Sequence, residues 1–196
     1  MENVLASAVG EMLASSGNAL PALAVDALRE VEWGRSASLA SIERGCVVGT
    51  ILKGMSRVRW HELTHAYGSA KEVPGRLSRV AWGDALTSAS ALSDLGFWLG
   101  ELSVFDATAE AVPFLWDLAV TDSVASRSGV IQLLMTILEQ VNPPRLDIQY
   151  AAHQAVLDGR GLADRLAGDG DPAVQAAAQD LMAAIDNHVC EACRPA

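Results

Sequence analysis

The stretch GLADRLAGDGDPAVQAAAQDLMAAI, residues 161–185, decides the fold. It opens with a short segment of helical character over residues 161–167, and a turn containing glycine and aspartate follows. Asp171 is then a typical N-cap residue, and Pro172 suits the first position of a helix. Apolar side chains recur after it at helical spacing, namely Val174, Ala177, Ala178, Leu181, Met182 and Ile185. The stretch therefore predicts two helices joined by a short turn, the second reaching to about residue 190.

The same helical spacing recurs along the rest of the chain. The clearest apolar stripe begins at Val130 and ends before the sequence NPP, which cannot continue a helix. Alanine and leucine dominate the composition, and no convincing strand pattern occurs. About ten helices with short connections are predicted, and because a short helix cannot cover its apolar stripe alone, we expect an all-α fold in which helical hairpins stack on one another.

Length and charge restrict the classes of function. The 196 residues fit one domain, and the formal net charge of −10 argues against binding to a nucleic-acid backbone. Residues 80–126 contain seven carboxylates and no basic residue, so they predict either an acidic docking surface or a solvated flank that keeps the protein soluble. No membrane span and no basic segment of a signal peptide occur, so we expect a cytoplasmic protein that does not bind membranes.

The stretch WHELTHAYG, residues 60–68, contains the His-Glu-x-x-His signature of zinc peptidases. In such enzymes both histidines bind the metal from one face of a helix, and the glutamate activates water. A helix over residues 60–67 would place Leu63 and Tyr67 towards the core, with His61, Glu62 and His65 largely opposite. Because no third ligand is evident, we expect no metal site here. A zinc hydrolase using His61, Glu62 and His65 stays the alternative.

Two further histidines and a cysteine pair have reactive chemistry. The sequence HVCEAC, residues 188–193, has a Cys-x-x-Cys motif beside a histidine, but zinc sites usually need a second pair of ligands. Local sequence offers none, so we expect a reduced tail without metal. His153 is expected to be a helix residue with a local hydrogen bond rather than a general base. No nucleophile elbow or phosphate loop occurs, and we expect no catalytic residues and no cofactor.

Residues 161–185 resemble a HEAT-type helical repeat, although Gln175 stands where that family often has an arginine. The segments W..LTHAYGSAKEVP and FDATAEAVPFL are similar to parts of actinobacterial HEAT-repeat proteins, in which the positions of His61 and Glu62 are variable. The resemblance implies a right-handed HEAT/ARM-like α-solenoid. Residues 1–196 would form a single helical-repeat domain, with capping helices over residues 1–55 and HEAT-like repeats over residues 56–196.

These observations favour a non-catalytic module that binds another protein on a curved surface. A narrower hypothesis is an immunity protein that neutralises a basic toxin domain through its acidic surface. Aromatic side chains near carboxylates suit such an interface, although core packing is the alternative for Trp98, Phe105 and Trp116. The oligomeric state stays open. The predicted binding residues are Asp94, Trp98, Glu101, Phe105, Asp106 and Glu110.

Overall fold

The computed structural model describes residues 51–194, which belong to one compact unit. This part of the chain is mostly helical, which confirms the all-α prediction. Within residues 51–194 lie six α-helices of ten or more residues and one short α-helix, fewer than the roughly ten predicted from the sequence. They are α1 (Val73–Trp82), α2 (Ala85–Leu99), α3 (Asp106–Ala119), α4 (Arg127–Glu139), α5 (Leu146–Leu157), the short α6 (Arg160–Leu166) and α7 (Pro172–Asp186).

Side-chain caps fix the beginnings of two helices. The carboxylate of Asp84 accepts a hydrogen bond from the backbone N–H of Thr87 at 2.8 Å, and α2 begins there. The carboxylate of Asp171 accepts one from the backbone N–H of Ala173 at 2.8 Å, with Pro172 at the first position of α7. Each cap satisfies a backbone donor that has no partner inside the helix. Both helix starts were predictable from sequence for that reason.

The helices pack in the order in which they follow one another. α1 packs on α2, α3 on α4, and α6 on α7. Across these pairs, α1 contacts α3 and α3 contacts α5, while α2 contacts α4 and α4 contacts α7. The core lies between these elements and includes most of the predicted stripe, since Val130, Leu133, Leu134, Ile137 and Leu138 are buried. Val141, predicted on the same stripe, lies beyond the end of α4 and is 54% exposed. No helix within residues 51–194 has the length and apolarity needed to cross a membrane.

Trp116 belongs to the core of α3, as the core-packing alternative predicted, and it is 4% exposed. The indole ring of Trp116 packs against Gly159, which lies between α5 and α6. A Cβ atom added at Gly159 would lie 2.1 Å from Cε2 of Trp116, well inside van der Waals contact. The close approach of the indole ring therefore requires a residue without a side chain at this position.

One buried ion pair joins the second and third helix pairs. Arg127, the first residue of α4, donates from Nε to the backbone carbonyl of Ala119 at 2.9 Å. Its Nη2 lies 2.5 Å from Oδ2 of Asp169, in the turn before α7. Gln175 instead donates to the carbonyl of Ala167 at 3.1 Å. Arg127 thus supplies an arginine–aspartate link although Gln175 occupies the position where an arginine was expected.

The prediction of a helix over residues 60–67 is wrong. Trp60–Glu62 form one turn of 3-10 helix, and a small antiparallel hairpin follows with strands β1 (Thr64–His65) and β2 (Gly68–Ser69). The chain reverses direction at Ala66 and Tyr67, and Gly68, directly after them, has φ 124°, which a residue with a side chain rarely adopts. The hairpin also contradicts the expectation of no strand.

The expected positions of two side chains in this segment are reversed, whereas Leu63 packs against the core and His61 and Glu62 are exposed as expected. His65 is buried, whereas Tyr67 is 65% exposed. Tyr67 lies in the turn between the two strands and not on a helix, so the helical wheel that placed it inside does not apply.

Two further predictions concern helix boundaries. Because a proline is tolerated best in the first turn of a helix, the sequence predicts a helix start at Pro113. Instead α3 begins seven residues earlier at Asp106, and Pro113 lies exposed inside it. The last helix ends at Asp186 and not near residue 190. The capping helices predicted for residues 1–55 lie outside the described residues, except for residues 51–55. There the chain forms turns, with φ 60° at Leu52 and 92° at Gly54, and a 3-10 turn begins at Met55.

Candidate functional site

Two of the predicted binding residues on α2 take part in packing. The imidazole of His65 stacks on the ring of Trp98, with centroids 4.8 Å apart and planes 12° apart. The guanidinium of Arg76 lies 5.1 Å from the centroid of the same Trp98 ring. Arg76 Nε also lies 2.7 Å from a carboxylate oxygen of Asp94. Trp98 of α2 therefore contacts both the hairpin, through His65, and α1, through Arg76. Asp94 orients Arg76 through the ion pair.

The predicted residues at the start of α3 are also engaged within the protein. Oδ1 of Asp106 accepts hydrogen bonds from the backbone N–H and the hydroxyl of Thr64, at 2.6 and 3.0 Å. Phe105 is half-buried, and its backbone N–H donates to the hydroxyl of Thr108 at 3.0 Å. Asp106 thus attaches the hairpin to α3, although sequence alone placed it on an acidic surface.

Glu101 and Glu110 are exposed and form no ion pair with any residue of the described part of the chain. Glu101 lies at the rim of an open groove of about 460 Å³ between α2 and α4. Phe97 is 45% exposed one turn before it, and Leu102 is 64% exposed beside it. The sequence analysis missed Phe97, yet its position opposite the buried stripe that contains Leu95 and Leu99 could have indicated it.

The residues of the His-Glu-x-x-His motif do not share a helix face. His61 is exposed, with Nε2 lying 3.6 Å from Oε1 of Glu62. Arg59 donates to the same glutamate oxygen at 3.0 Å. His65 lies in the hairpin, where its Nδ1 accepts from the backbone N–H of Tyr67 at 3.1 Å. Burial lowers the pKa of His65, while a backbone hydrogen bond at Ser69 acts in the opposite direction. The helical geometry on which the zinc-peptidase alternative depends does not form here.

A different set of four side chains meets at the end of the chain. His153 comes from α5, and His188, Cys190 and Cys193 come from the segment that follows α7. One ligand atom from each lies within 4.8 Å of all the others. The Nδ1 atom of His153 is 3.4 Å from Sγ of Cys190 and 3.9 Å from Sγ of Cys193. Within residues 51–194, this is the one group of histidine, cysteine and acidic side chains whose ligand atoms lie close enough together to hold a metal ion.

Hydrogen bonding orients the two imidazoles of this group. Nε2 of His153 lies 2.8 Å from the carbonyl oxygen of Gln140, and it must be the protonated nitrogen because a carbonyl can only accept. Its Nδ1 is then the nitrogen with a free lone pair. Nε2 of His188 is buried and has no hydrogen-bond partner within the described structure. The two rings meet edge to face, with centroids 4.9 Å apart.

Burial controls protonation within the group. It lowers the pKa of both His153 and His188, so the neutral imidazoles that can bind a metal are favoured. Burial also raises the pKa of Cys193 to about 12, together with the hydrogen bond and the electrostatic interaction with Cys190. Without a cation nearby, the Cys193 thiol is thus difficult to ionise.

The sequence analysis found three members of this group but not the fourth. The Cys-x-x-Cys motif and His188 were noted as a set lacking a second pair of ligands, and His153 was interpreted separately. His153 precedes His188 by 35 positions, and only the packing of α5 beside the end of α7 brings them together. His153 is a helix residue with a hydrogen bond, as expected, but the bond is not local, because its acceptor Gln140 lies outside α5.

Comparison of the chain with protein-family models, with curated proteins and with solved structures finds no match.

Proposed function

We propose that this protein is a non-catalytic, protein-binding helical-repeat module whose helix pairs form a right-handed α-solenoid of HEAT/ARM type. The supporting observation is the order of helix packing, in which α1, α3 and α5 contact in succession and α2, α4 and α7 do the same. Stacked pairs with this order of contacts generate two layers, and one layer of a solenoid commonly provides a concave binding surface. The HEAT-like sequence of residues 161–185 agrees with this proposal.

The groove between α2 and α4 is the best candidate for the binding surface. Its walls include small side chains such as Ala89, Ser93 and Gly129, so a partner's backbone can approach closely. Phe97 and Leu102 do not line the groove itself, but both expose apolar area and lie close to Glu101 in sequence. An apolar anchor beside a charged rim suits recognition of another protein. Because Asp94, Trp98 and Asp106 are engaged in internal contacts, the proposed contact residues are Phe97, Glu101 and Leu102.

The proposed partner carries a basic surface. The net charge of −10 favours association with a cationic protein, and clustered carboxylates increase the rate of encounter. A basic toxin domain is one such partner, and an immunity protein is the corresponding narrower proposal. A cytoplasmic location would suit this role and would also keep the cysteines reduced.

The test is affinity capture from the native host with the full chain as bait, followed by a titration of the captured protein. We expect Glu101→Lys to weaken binding of a basic partner at least about tenfold, because it places a like charge in the interface. Asp164→Lys is the matched control, since Asp164 is exposed on α6 and changes the net charge equally. Circular dichroism and thermal melting establish that both variants fold.

The two variants separate a docking surface from a general effect of charge. Selective weakening by Glu101→Lys supports the proposal. Equal weakening by both variants would mean that net charge alone matters. No weakening by either would leave the carboxylates with a role in solubility and contradict the proposed surface.

A further inference from the structure

We propose that His153, His188, Cys190 and Cys193 bind one Zn²⁺ ion in a closed tetrahedral site, which attaches the segment after α7 to helix α5. The proposal does not depend on the protein-binding function. It rests on the geometry of the four ligand atoms, on the hydrogen bonds that orient them, and on the chemistry of the donor set.

The distances agree with a metal site. Zinc bonds of about 2.0 to 2.3 Å in a tetrahedron place the ligand atoms about 3.3 to 3.8 Å apart. The separations of 3.4 and 3.9 Å from Nδ1 of His153 to the two sulfur atoms already have this size. The full group, contained within 4.8 Å, therefore needs only small side-chain adjustments to surround an ion.

The orientation of the histidines also fits a metal. The carbonyl of Gln140 accepts the Nε2–H of His153 at 2.8 Å, which directs the Nδ1 lone pair at the two sulfur atoms. Such a hydrogen bond to the second nitrogen is the usual support for a metal-binding imidazole. His188 offers a buried Nε2 without a partner in the described residues, and a bond to zinc would satisfy it.

The donor set identifies the metal and the kind of site. Two thiolates and two imidazoles at the corners of a tetrahedron are typical of zinc, and the two thiolate charges neutralise the ion. Four protein ligands leave no open position for water or substrate, so the site is structural and not catalytic. A neighbouring cavity of about 370 Å³, lined in part by His153, His188 and Cys190, provides a route for the ion.

Metal analysis of the full chain, purified under reducing conditions without added zinc, tests the site. We expect about one zinc per chain. Loss of zinc is expected in His153→Ala and in the double variant Cys190→Ser with Cys193→Ser. Cys46→Ser controls for loss of a thiol, and His61→Ala controls for loss of an imidazole, and both should keep the ion.

A second measurement uses the unmodified chain, so that misfolding of a variant cannot decide the result. Apo protein titrated with Co²⁺ should develop the strong visible absorption of a tetrahedral ion and a thiolate-to-cobalt charge-transfer band, both reversed by one equivalent of Zn²⁺. Absence of the charge-transfer band would overturn the proposal. Zinc retained by the double cysteine variant, or zinc lost from His61→Ala, would also overturn it. So would a Cys190–Cys193 disulfide in a reduced preparation that contains no zinc.

Discussion

Arg127 and Asp169 are 42 residues apart in sequence and form a bidentate ion pair, with N–O distances of 2.5 and 3.4 Å. The guanidinium side chain is 10% exposed and the carboxylate side chain 16% exposed. Because Arg127 begins α4 and Asp169 precedes α7, the pair fixes the third helix pair against the second. A buried charge that loses its partner is costly, so this link gives a sharp test of the packing.

Asp169→Asn is expected to lower the free energy of unfolding by roughly 1 to 3 kcal/mol, because the buried Arg127 then keeps only the exposed Asp122, 3.3 Å from its Nη1, as a counter-charge. Urea denaturation followed by circular dichroism measures the change. Asp186→Asn provides the control. This variant removes the ion pair between Asp186 and Arg160, and both of these side chains are about half exposed. It should therefore change the free energy of unfolding little. Equal losses in both variants would contradict a special role for Arg127 and Asp169.

Gly159→Ala should destabilise the protein by about 1 to 3 kcal/mol, since the new methyl group collides with the indole of Trp116. Gly161→Ala is the matched control two residues later, inside α6. A Cβ atom there meets nothing within 4 Å, and alanine favours the helix, so stability should be unchanged or slightly higher. Thermal melting of the two variants side by side measures the difference, and equal melting temperatures would refute the close packing of Trp116.

Stability should fall as the pH drops below the ordinary pKa of histidine, partly because of His65. Burial holds the pKa of His65 below 6.5, so the unfolded chain takes up a proton at a higher pH than the folded chain does. The contribution of neutral His65 is thus complete above that pH. It decreases as the pH falls towards the lowered folded-state pKa, and the charge of Glu72 reduces the effect.

His65→Phe isolates this contribution, because phenylalanine can still stack on Trp98 but cannot bind a proton. We expect the variant to lose less stability than the parent between about pH 7.5 and about pH 5. Urea denaturation at both pH values gives the two differences. The other histidines are present in both proteins and cancel in the comparison. Identical losses would show that His65 titrates as an exposed histidine does.

Removal of zinc is expected to loosen the segment after α7. At free zinc one hundred times the dissociation constant, binding stabilises the folded state by about 2.7 kcal/mol, which corresponds to a melting temperature about 5 to 10 °C higher. A chelator should abolish this difference and increase proteolysis near Val189, which is exposed. The double variant Cys190→Ser with Cys193→Ser should not respond to the chelator. A parent protein indifferent to chelation would contradict a stabilising metal.

The sequence by itself determined the helices that carry their own local signals. Asp171, Pro172 and the apolar stripe of α7 specify where that helix begins and which face it buries, because capping and helical periodicity depend on residues only a few positions apart. The core side of α4 was predictable for the same reason. The burial of Trp116 follows from its place on the apolar face of α3.

Only the tertiary structure decided which polar residues meet. The hairpin around Gly68 turned His65 inward against Trp98, which the helical pattern of the motif did not indicate. Asp106 accepts a hydrogen bond from Thr64, which is 42 residues away in sequence. His153 lies beside Cys190 and Cys193, which follow α7. Such pairings depend on how helices pack across long separations in sequence, and no local spacing of residues encodes that packing. Helices with local signals can therefore be predicted from the sequence, whereas the candidate metal centre forms only where α5 and the end of α7 lie side by side.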